Sequence, residues 1–203
     1  IKTPLTLSLC VQDDNTDKCG HLQLHEMINP DLLYRNYFYR SAINDTMKED
    51  LKNVVESVLK ISKSHPQDIV VDIGSNDCTL LNFYQGKFQL IGFEPAKNIK
   101  FIDVGKNIKI FKNYFNAQDF RKNFDKKAKI ITSCAMFYDL ENPKKFVNDI
   151  ENILDENGIW CVQISYLLLM IKNLNFYDIC HEHLSYYSIY SFEKLIEQFD
   201  LKI

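Results

Sequence analysis

The chain has 203 residues, room for one full α/β domain and part of another, since single cores run to roughly 100 to 200 residues. Its 46% hydrophobic and 25% charged residues are the composition of a protein that buries a core, which excludes a disordered chain. A net charge of -3, with Lys and Arg dispersed among Asp and Glu, leaves no basic stripe for a phosphate backbone and argues against nucleic acid as the partner.

The longest nearly apolar run, Tyr166 to Ile171, is far short of the roughly 20 residues that span a bilayer. No charged-then-apolar signal segment opens the chain, so no membrane association and a cytoplasmic location are expected. Six cysteines (Cys10, Cys19, Cys78, Cys134, Cys161 and Cys180) are too few and too scattered for a secreted disulfide framework. The start at Ile1 without Met and the stop at Ile203 lead us to expect a piece truncated at both ends.

In chain order, residues 1 to 45 are rich in Asn, Asp and Tyr, with short strand-like pieces at Leu5 to Leu9 and His21 to Leu24; they read as a partial, separate module. A helix follows, for Thr46 and Glu49 form a capping-box pattern and Leu51, Val54, Val55, Val58 and Leu59 recur on one helical face. Beyond His65-Pro66 the pattern alternates. Strands are predicted at Ile69 to Ile73, Phe88 to Phe93, Ile108 to Lys112, Lys129 to Ser133 and Ile159 to Ser165. Helices are predicted at Thr79 to Gln85, Pro95 to Val104, Ala117 to Asn123 and Pro143 to Asp155, the last with Asn142 as its cap. Strands alternating with helices imply parallel pairing and an open, doubly wound α/β sheet over 46 to 203.

The stretch Val70 to Cys78 runs from a buried strand through a glycine turn at Gly74 towards a helix, the arrangement in which a ligand can approach the backbone. About twenty residues on, Gly92-Phe93-Glu94-Pro95 puts a carboxylate at the end of the second strand, where it can accept both ribose hydroxyls. A dinucleotide pyrophosphate needs three glycines, and Asn76 and Cys78 occupy the other two places. A ligand with adenosine but no phosphates is favoured, S-adenosylmethionine above all, and the fold expected is the Rossmann-like sheet of a class I methyltransferase. Asp72 and Asp77 could bond the methionine ammonium or only satisfy loop amides. In Asn113 to Asn116, after the third strand, Asn116 could contact adenine or cap a helix.

Several strings together resemble the S-adenosylmethionine-dependent C-methyltransferases of nucleotide-linked 4-keto-6-deoxysugars. They are Cys19-Gly20-His21-Leu22-Gln23-Leu24, Tyr34 to Ser41 (YRNYFYRS), Asp72 to Asp77 (DIGSND), Gly92 to Ala96 (GFEPA) and His181 to Tyr187 (HEHLSYY). The resemblance implies three parts: a small four-cysteine zinc domain, the methyltransferase core, and a C-terminal domain that is expected to be missing from this piece. Cys10 and Cys19 would match the second zinc pair, although eight residues separate them where a tight pair is usual, and the first pair would precede Ile1. Two thiolates cannot close a structural zinc site. His21 and His25 are the local alternatives, and zinc is expected only in the longer protein.

Methylation at carbon requires a nucleophilic carbon, and a base that removes a proton beside a ketone creates one; an imidazole suits that task near neutral pH. By resemblance His183 is the base, Glu182 an orienting partner, His181 a supporting residue, and Tyr37 and Tyr39 line the sugar pocket. Helical zinc motifs space His at i and i+4, whereas His181 and His183 are two apart and would share a face only on a strand. Cys180 stands where relatives often have Tyr and Ala135 where they often have Asn; Tyr138 or Asp139 would then take the substrate oxygen. A small-molecule nucleotide-sugar is the expected partner. The alternatives are an O- or N-methyltransferase on another small molecule and a non-catalytic or NAD-binding module. The oligomeric state is not legible.

Overall fold

The computed structural model describes residues 3–11, 19–86, 88–101 and 104–203. Its elements begin with strands β1 (Leu7–Leu9) and β2 (Leu22–Leu24), helices α1 (Pro30–Tyr34) and α2 (Asp45–Ile61), strand β3 (Ile69–Ile73) and helix α3 (Thr79–Asn82). Strands β4 (Gln89–Phe93) and β5 (Ile108–Phe111), helix α4 (Ala117–Arg121) and strand β6 (Ala128–Cys134) follow. Last come α5 (Pro143–Ile153), β7 (Leu154–Gln163), α6 (Leu167–Lys172), β8 (Ser185–Tyr186) and α7 (Ile189–Ile196). These group into two compact units, one of Pro30–Cys134 and Asn152–Val162, the other of Ile1–Asn29, Ala135–Glu151 and Gln163–Ile203. Among the described residues no helix is long and apolar enough to cross a membrane.

The first unit holds the expected α/β sheet, with strand order β5-β4-β3-β6-β7. The pairs β3 with β4, β3 with β6 and β4 with β5 are parallel. The chain therefore builds outward on one side of β3 and then returns to the other, and the reversal between β3 and β6 opens a crevice at their carboxyl ends where ligands bind in such folds. Every residue of β3 is buried, which explains why its sequence is continuously apolar apart from Asp72. Leu51, Val55 and Val58 of α2 pack with Val70, Leu90 and Ile130 into one core. Each side chain so buried contributes about 1.5 to 3 kcal/mol relative to an exposed one.

Two local expectations give way to competing bonds. Helix α2 is capped by Asn44, whose Oδ1 accepts from Thr46 N–H at 2.9 Å and Met47 N–H at 3.3 Å, so the Thr46–Glu49 box is not the cap. The helix expected over Pro95 to Val104 does not form at 95–101, and its residues Ile102 and Asp103 lie outside the described residues. Amides that would enter that helix are committed elsewhere: Ala96 N–H to the Glu94 carboxylate at 2.8 Å and Lys97 N–H to Arg35 O at 2.9 Å.

In the second unit β1, β2 and β8 form an antiparallel sheet in that order. β8 belongs to the His181–Tyr187 string, so that string is stitched to the first hairpin through Leu22↔Tyr186 and Gln23↔Ser185. Leu24, Leu167, Met170, Leu184 and Tyr186 make the core beneath it. A second anchor is aromatic: Phe137 meets Tyr187 at 5.3 Å and Phe192 at 5.5 Å between ring centroids.

Candidate functional site

In the sheet unit, the loop after β3 is held in a conformation that few residues tolerate. Gly74, Asn76 and Cys78 have φ of 72°, 49° and 66°, and a non-glycine residue in this region costs on the order of 1 to 3 kcal/mol. Neighbouring bonds impose it. The amides of Gly74 and Ser75 donate to Phe93 O at 2.9 and 3.1 Å, and Cys78 N–H donates to Ser75 O at 2.8 Å. Close approach is made possible by Gly92, where a Cβ would come within 2.6 Å of Ser75 Oγ. Burial pushes the Cys78 thiol up to about 12, so it is a packed side chain and not a nucleophile.

Glu94 and Asp72 are the buried acids of the crevice, at 5% and 4% exposure. The Glu94 carboxylate accepts Asn76 N–H through Oε2 and Ala96 N–H through Oε1, both at 2.8 Å. Burial raises its pKa above the usual range, opposed by the Ala96 and Asn76 amides and by the charge of Arg40. Each oxygen keeps a further lone pair, the acceptor pair that two donating ribose hydroxyls require. Asp72 accepts from Thr132 Oγ1 at 2.6 Å; burial lifts its carboxyl to about 7, with the Thr132 hydroxyl pulling down and Glu94 pushing up. At neutral pH a cation placed beside Asp72 would draw off its proton, so the residue fits an ammonium.

The remaining residues expected around the cofactor are placed as follows. Asp77 takes Thr79 N–H and hydroxyl on Oδ1, at 3.2 and 2.6 Å, and Ala42 N–H on Oδ2 at 2.9 Å. Asn116 caps α4 by accepting Asp119 N–H at 2.8 Å. Pro95 offers its carbonyl to Arg35 at 3.4 Å. Tyr37 and Tyr39 belong to this unit, and their carbonyls are taken by Asn98 Nδ2 at 3.0 Å and Asn76 Nδ2 at 3.2 Å. The set fits an adenosine-bearing ligand better than a dinucleotide, because α3 has only four residues and follows a Cβ-bearing turn at Asn76 and Cys78.

The second unit holds His181 and His183. His181, Glu182 and His183 form a turn, closed by His183 N–H donating to Cys180 O at 3.1 Å, so the two imidazoles do not share a strand face. His181 Nε2 lies 3.0 Å from Thr3 O and 3.1 Å from Pro4 O. Carbonyls only accept, so Nε2 carries the hydrogen and that edge of the ring pins the chain's start. His183 Nδ1 lies 2.7 Å from Asp178 O and for the same reason is the N–H nitrogen. In the neutral ring Nε2 is then left with its lone pair. Tyr138, 9% exposed, packs edge-on against this imidazole at 4.5 Å and limits its rotation. Glu182 is half-buried within the turn.

Cys10 and Cys19 are half-buried and neither is in a disulfide among the described residues. Among the described residues no three His, Cys, Asp or Glu side chains are grouped to hold a metal ion, so these residues do not by themselves fit a four-ligand zinc site. Sequence reasoning gave no role to Thr132, Arg35 or Arg40, whose bonds to Asp72, to Pro95 O and to Asn98 O join residues 60, 60 and 58 apart.

A family model described as a methyltransferase domain matches residues 35–203. The C-methyltransferase NovU of Streptomyces niveus is 24% identical over 189 residues, 92% of this chain and 45% of that protein, so the chain spans less than half of this relative's length. The plantazolicin methyltransferase BamL, solved with a triazolic desmethylPZN analog and SAH, superposes with a TM-score of 0.58 at 17% identity, over 76% of this chain and 62% of that one. The cyclopropane synthase MmaA2 of Mycobacterium tuberculosis gives 0.57 at 14% identity, over 87% and 69%. These structural likenesses are ones of fold. The family match over 35–203, joined to a sheet whose crevice carries the Gly74 loop and Glu94, makes the chain a member of the methyltransferase domain family.

Proposed function

We propose that this methyltransferase acts at carbon, on the position beside the ketone of a nucleotide-linked 4-keto-deoxysugar, with His183 as the base. The observation that carries the reading is the bond between His183 Nδ1 and Asp178 O, which fixes the tautomer whose Nε2 can take a proton. S-adenosylmethionine, when bound, supplies an electrophilic methyl group. Nε2 of His183 removes the proton from the carbon beside the ketone, and the electron pair spreads onto the ketone oxygen, which leaves that carbon nucleophilic. Tyr138 keeps the imidazole in one orientation, and Glu182 beside it orients the ring or the substrate oxygen. Tyr37 and Tyr39 contact the sugar-nucleotide. The likeness to NovU supports carbon as the acceptor, and the paired string HEHLSYY supports the sugar class.

The test is incubation with methyl-labelled S-adenosylmethionine and a panel of 4-keto-6-deoxysugar nucleotides, followed by NMR of the product. Label on the carbon beside the ketone is expected, together with exchange of that carbon's hydrogen with solvent in the wild type and none in His183→Asn. Label on oxygen or nitrogen overturns the base mechanism and favours transfer to a heteroatom, the reading to which Cys180 and Ala135 point.

A further inference from the structure

The segment that precedes α2 is bonded to both loops that the cofactor assignment uses. Towards the loop after β4, Lys97 N–H donates to Arg35 O at 2.9 Å and Asn98 Nδ2 to Tyr37 O at 3.0 Å. Towards the loop after β3, Asn76 Nδ2 donates to Tyr39 O and Ser41 N–H to Asn76 Oδ1, each at 3.2 Å. Residues 37–42 are thus a strap tied to two strand ends. Asn76, which ties it on one side, is the residue whose amide also holds Glu94.

Arg40 lies at the middle of the strap. Its Nη1 donates to Tyr37 O at 2.6 Å and Tyr39 O at 2.7 Å, and its Nη2 to Asn98 O at 3.1 Å. One rigid, planar fork gathers two carbonyls of the strap and one of the loop after β4, which a lysine ammonium on a flexible stem does not reproduce. Its hydrogen bonds go to carbonyls, and its charge acts on Glu94, whose pKa it lowers against burial.

We propose that Arg40 is a positioning residue for S-adenosylmethionine: its guanidinium clamps the strap 37–42 across the loops after β3 and β4, and so holds Asn76 and Glu94 in the geometry that receives adenosine. The proposal rests on the cofactor assignment and is independent of the acceptor. It has two separable consequences. Loss of the fork loosens the strap, which lowers affinity at every pH. Loss of the charge makes Glu94 harder to ionise, since the other groups facing it are Asp72 from β3 and Asp77 and the Cys78 thiol from the loop, none of which supplies a positive charge.

The experiment is calorimetric titration of the full chain with S-adenosylhomocysteine, from about pH 5 to about pH 8, for wild type, Arg40→Lys and Arg40→Gln. Arg40→Gln should bind at least tenfold more weakly, with the acid-side loss of affinity beginning at higher pH than in wild type. Arg40→Lys should bind severalfold more weakly with the wild-type pH profile, and it carries the test if the glutamine variant does not fold. Wild-type affinity in both variants overturns the proposal, as does an equal loss at every pH in Arg40→Gln. Failure of the wild type to bind S-adenosylhomocysteine would overturn the cofactor assignment itself.

Discussion

The backbone N–H of Asn76 donates to Glu94 Oε2 at 2.8 Å, so the carboxylate that faces the ligand crevice also fixes the left-handed turn of the loop beside it. Ala96 N–H occupies the other oxygen at the same distance. Glu94→Gln keeps the shape but turns an NH₂ group towards one of these two donors. A buried donor left without its acceptor costs about 1 to 3 kcal/mol. We expect a lower melting temperature together with at least a tenfold loss of S-adenosylhomocysteine affinity. Unchanged affinity would show that Glu94 serves only the loop.

Gly92 and Ser75 are in closer contact than any other residue type would permit at position 92. A methyl group there would come to 2.6 Å from Ser75 Oγ and 3.1 Å from Ser75 Cβ, and Ser75 is fixed by its amide bond to Phe93 O. Overpacking of this kind costs roughly 1 to 3 kcal/mol. Because the strain falls on the cofactor loop, Gly92→Ala should weaken S-adenosylhomocysteine binding more than it lowers the melting temperature. Calorimetry and thermal unfolding on the same preparation give both quantities, and a fall in stability with intact binding would contradict this placing of the strain.

Asp72 makes stability depend on pH in a direction opposite to that of most carboxylates. Buried, it holds its proton up to about pH 7, whereas the unfolded chain releases it near the ordinary 3.8. Between those values folding takes up a proton, so stability falls as pH rises, by on the order of 4 kcal/mol once the group is fully ionised. Below the ordinary value the contribution vanishes. Asp72→Asn can still accept from the Thr132 hydroxyl and has nothing to ionise. Denaturant titrations at pH 4.5, 6 and 7.5 should therefore show the variant gaining on wild type as pH increases. A constant difference would mean that Asp72 is ionised in the fold at all three.

How far the sequence speaks for itself is seen in particular elements. β3 was legible to the residue, because a strand buried on both faces reads as an apolar run, here interrupted only by Asp72. The start of α5 was legible too: Asn142 Oδ1 accepts Lys145 N–H at 3.0 Å, a bond made within one turn. The absence of a helix at 95–101 was hidden, because the competitor for its amides, Arg35 O, is 62 residues from Lys97. Cofactor residues in a motif could be picked out by their spacing, whereas Arg40, although inside the Tyr34 to Ser41 string, showed nothing of its role: that depends on the Asn98 carbonyl, 58 residues away. The placing of the His181 ring escaped for the same reason, since its partners are the carbonyls of Thr3 and Pro4.

The two histidines of that turn should separate under mutation. His181 spends Nε2–H on the carbonyls of Thr3 and Pro4, so His181→Ala should cost about 1 kcal/mol of stability, and His181→Gln, which places an N–H near the same point, should recover part of it. Methyl transfer at saturating substrate should stay within severalfold of wild type in both. His183→Asn is the converse. Asn can place its amide nitrogen where Nδ1 was and keep the bond to Asp178 O, while nothing replaces Nε2. Stability should be nearly unchanged and transfer should fall by about 10² to 10⁴, the usual worth of a positioned base. Binding of S-adenosylhomocysteine should survive, which shows that the lesion is in the chemistry and not in the sheet. If His181→Ala abolishes transfer while His183→Asn retains it, the base is His181 and the tautomer argument has been attached to the wrong ring.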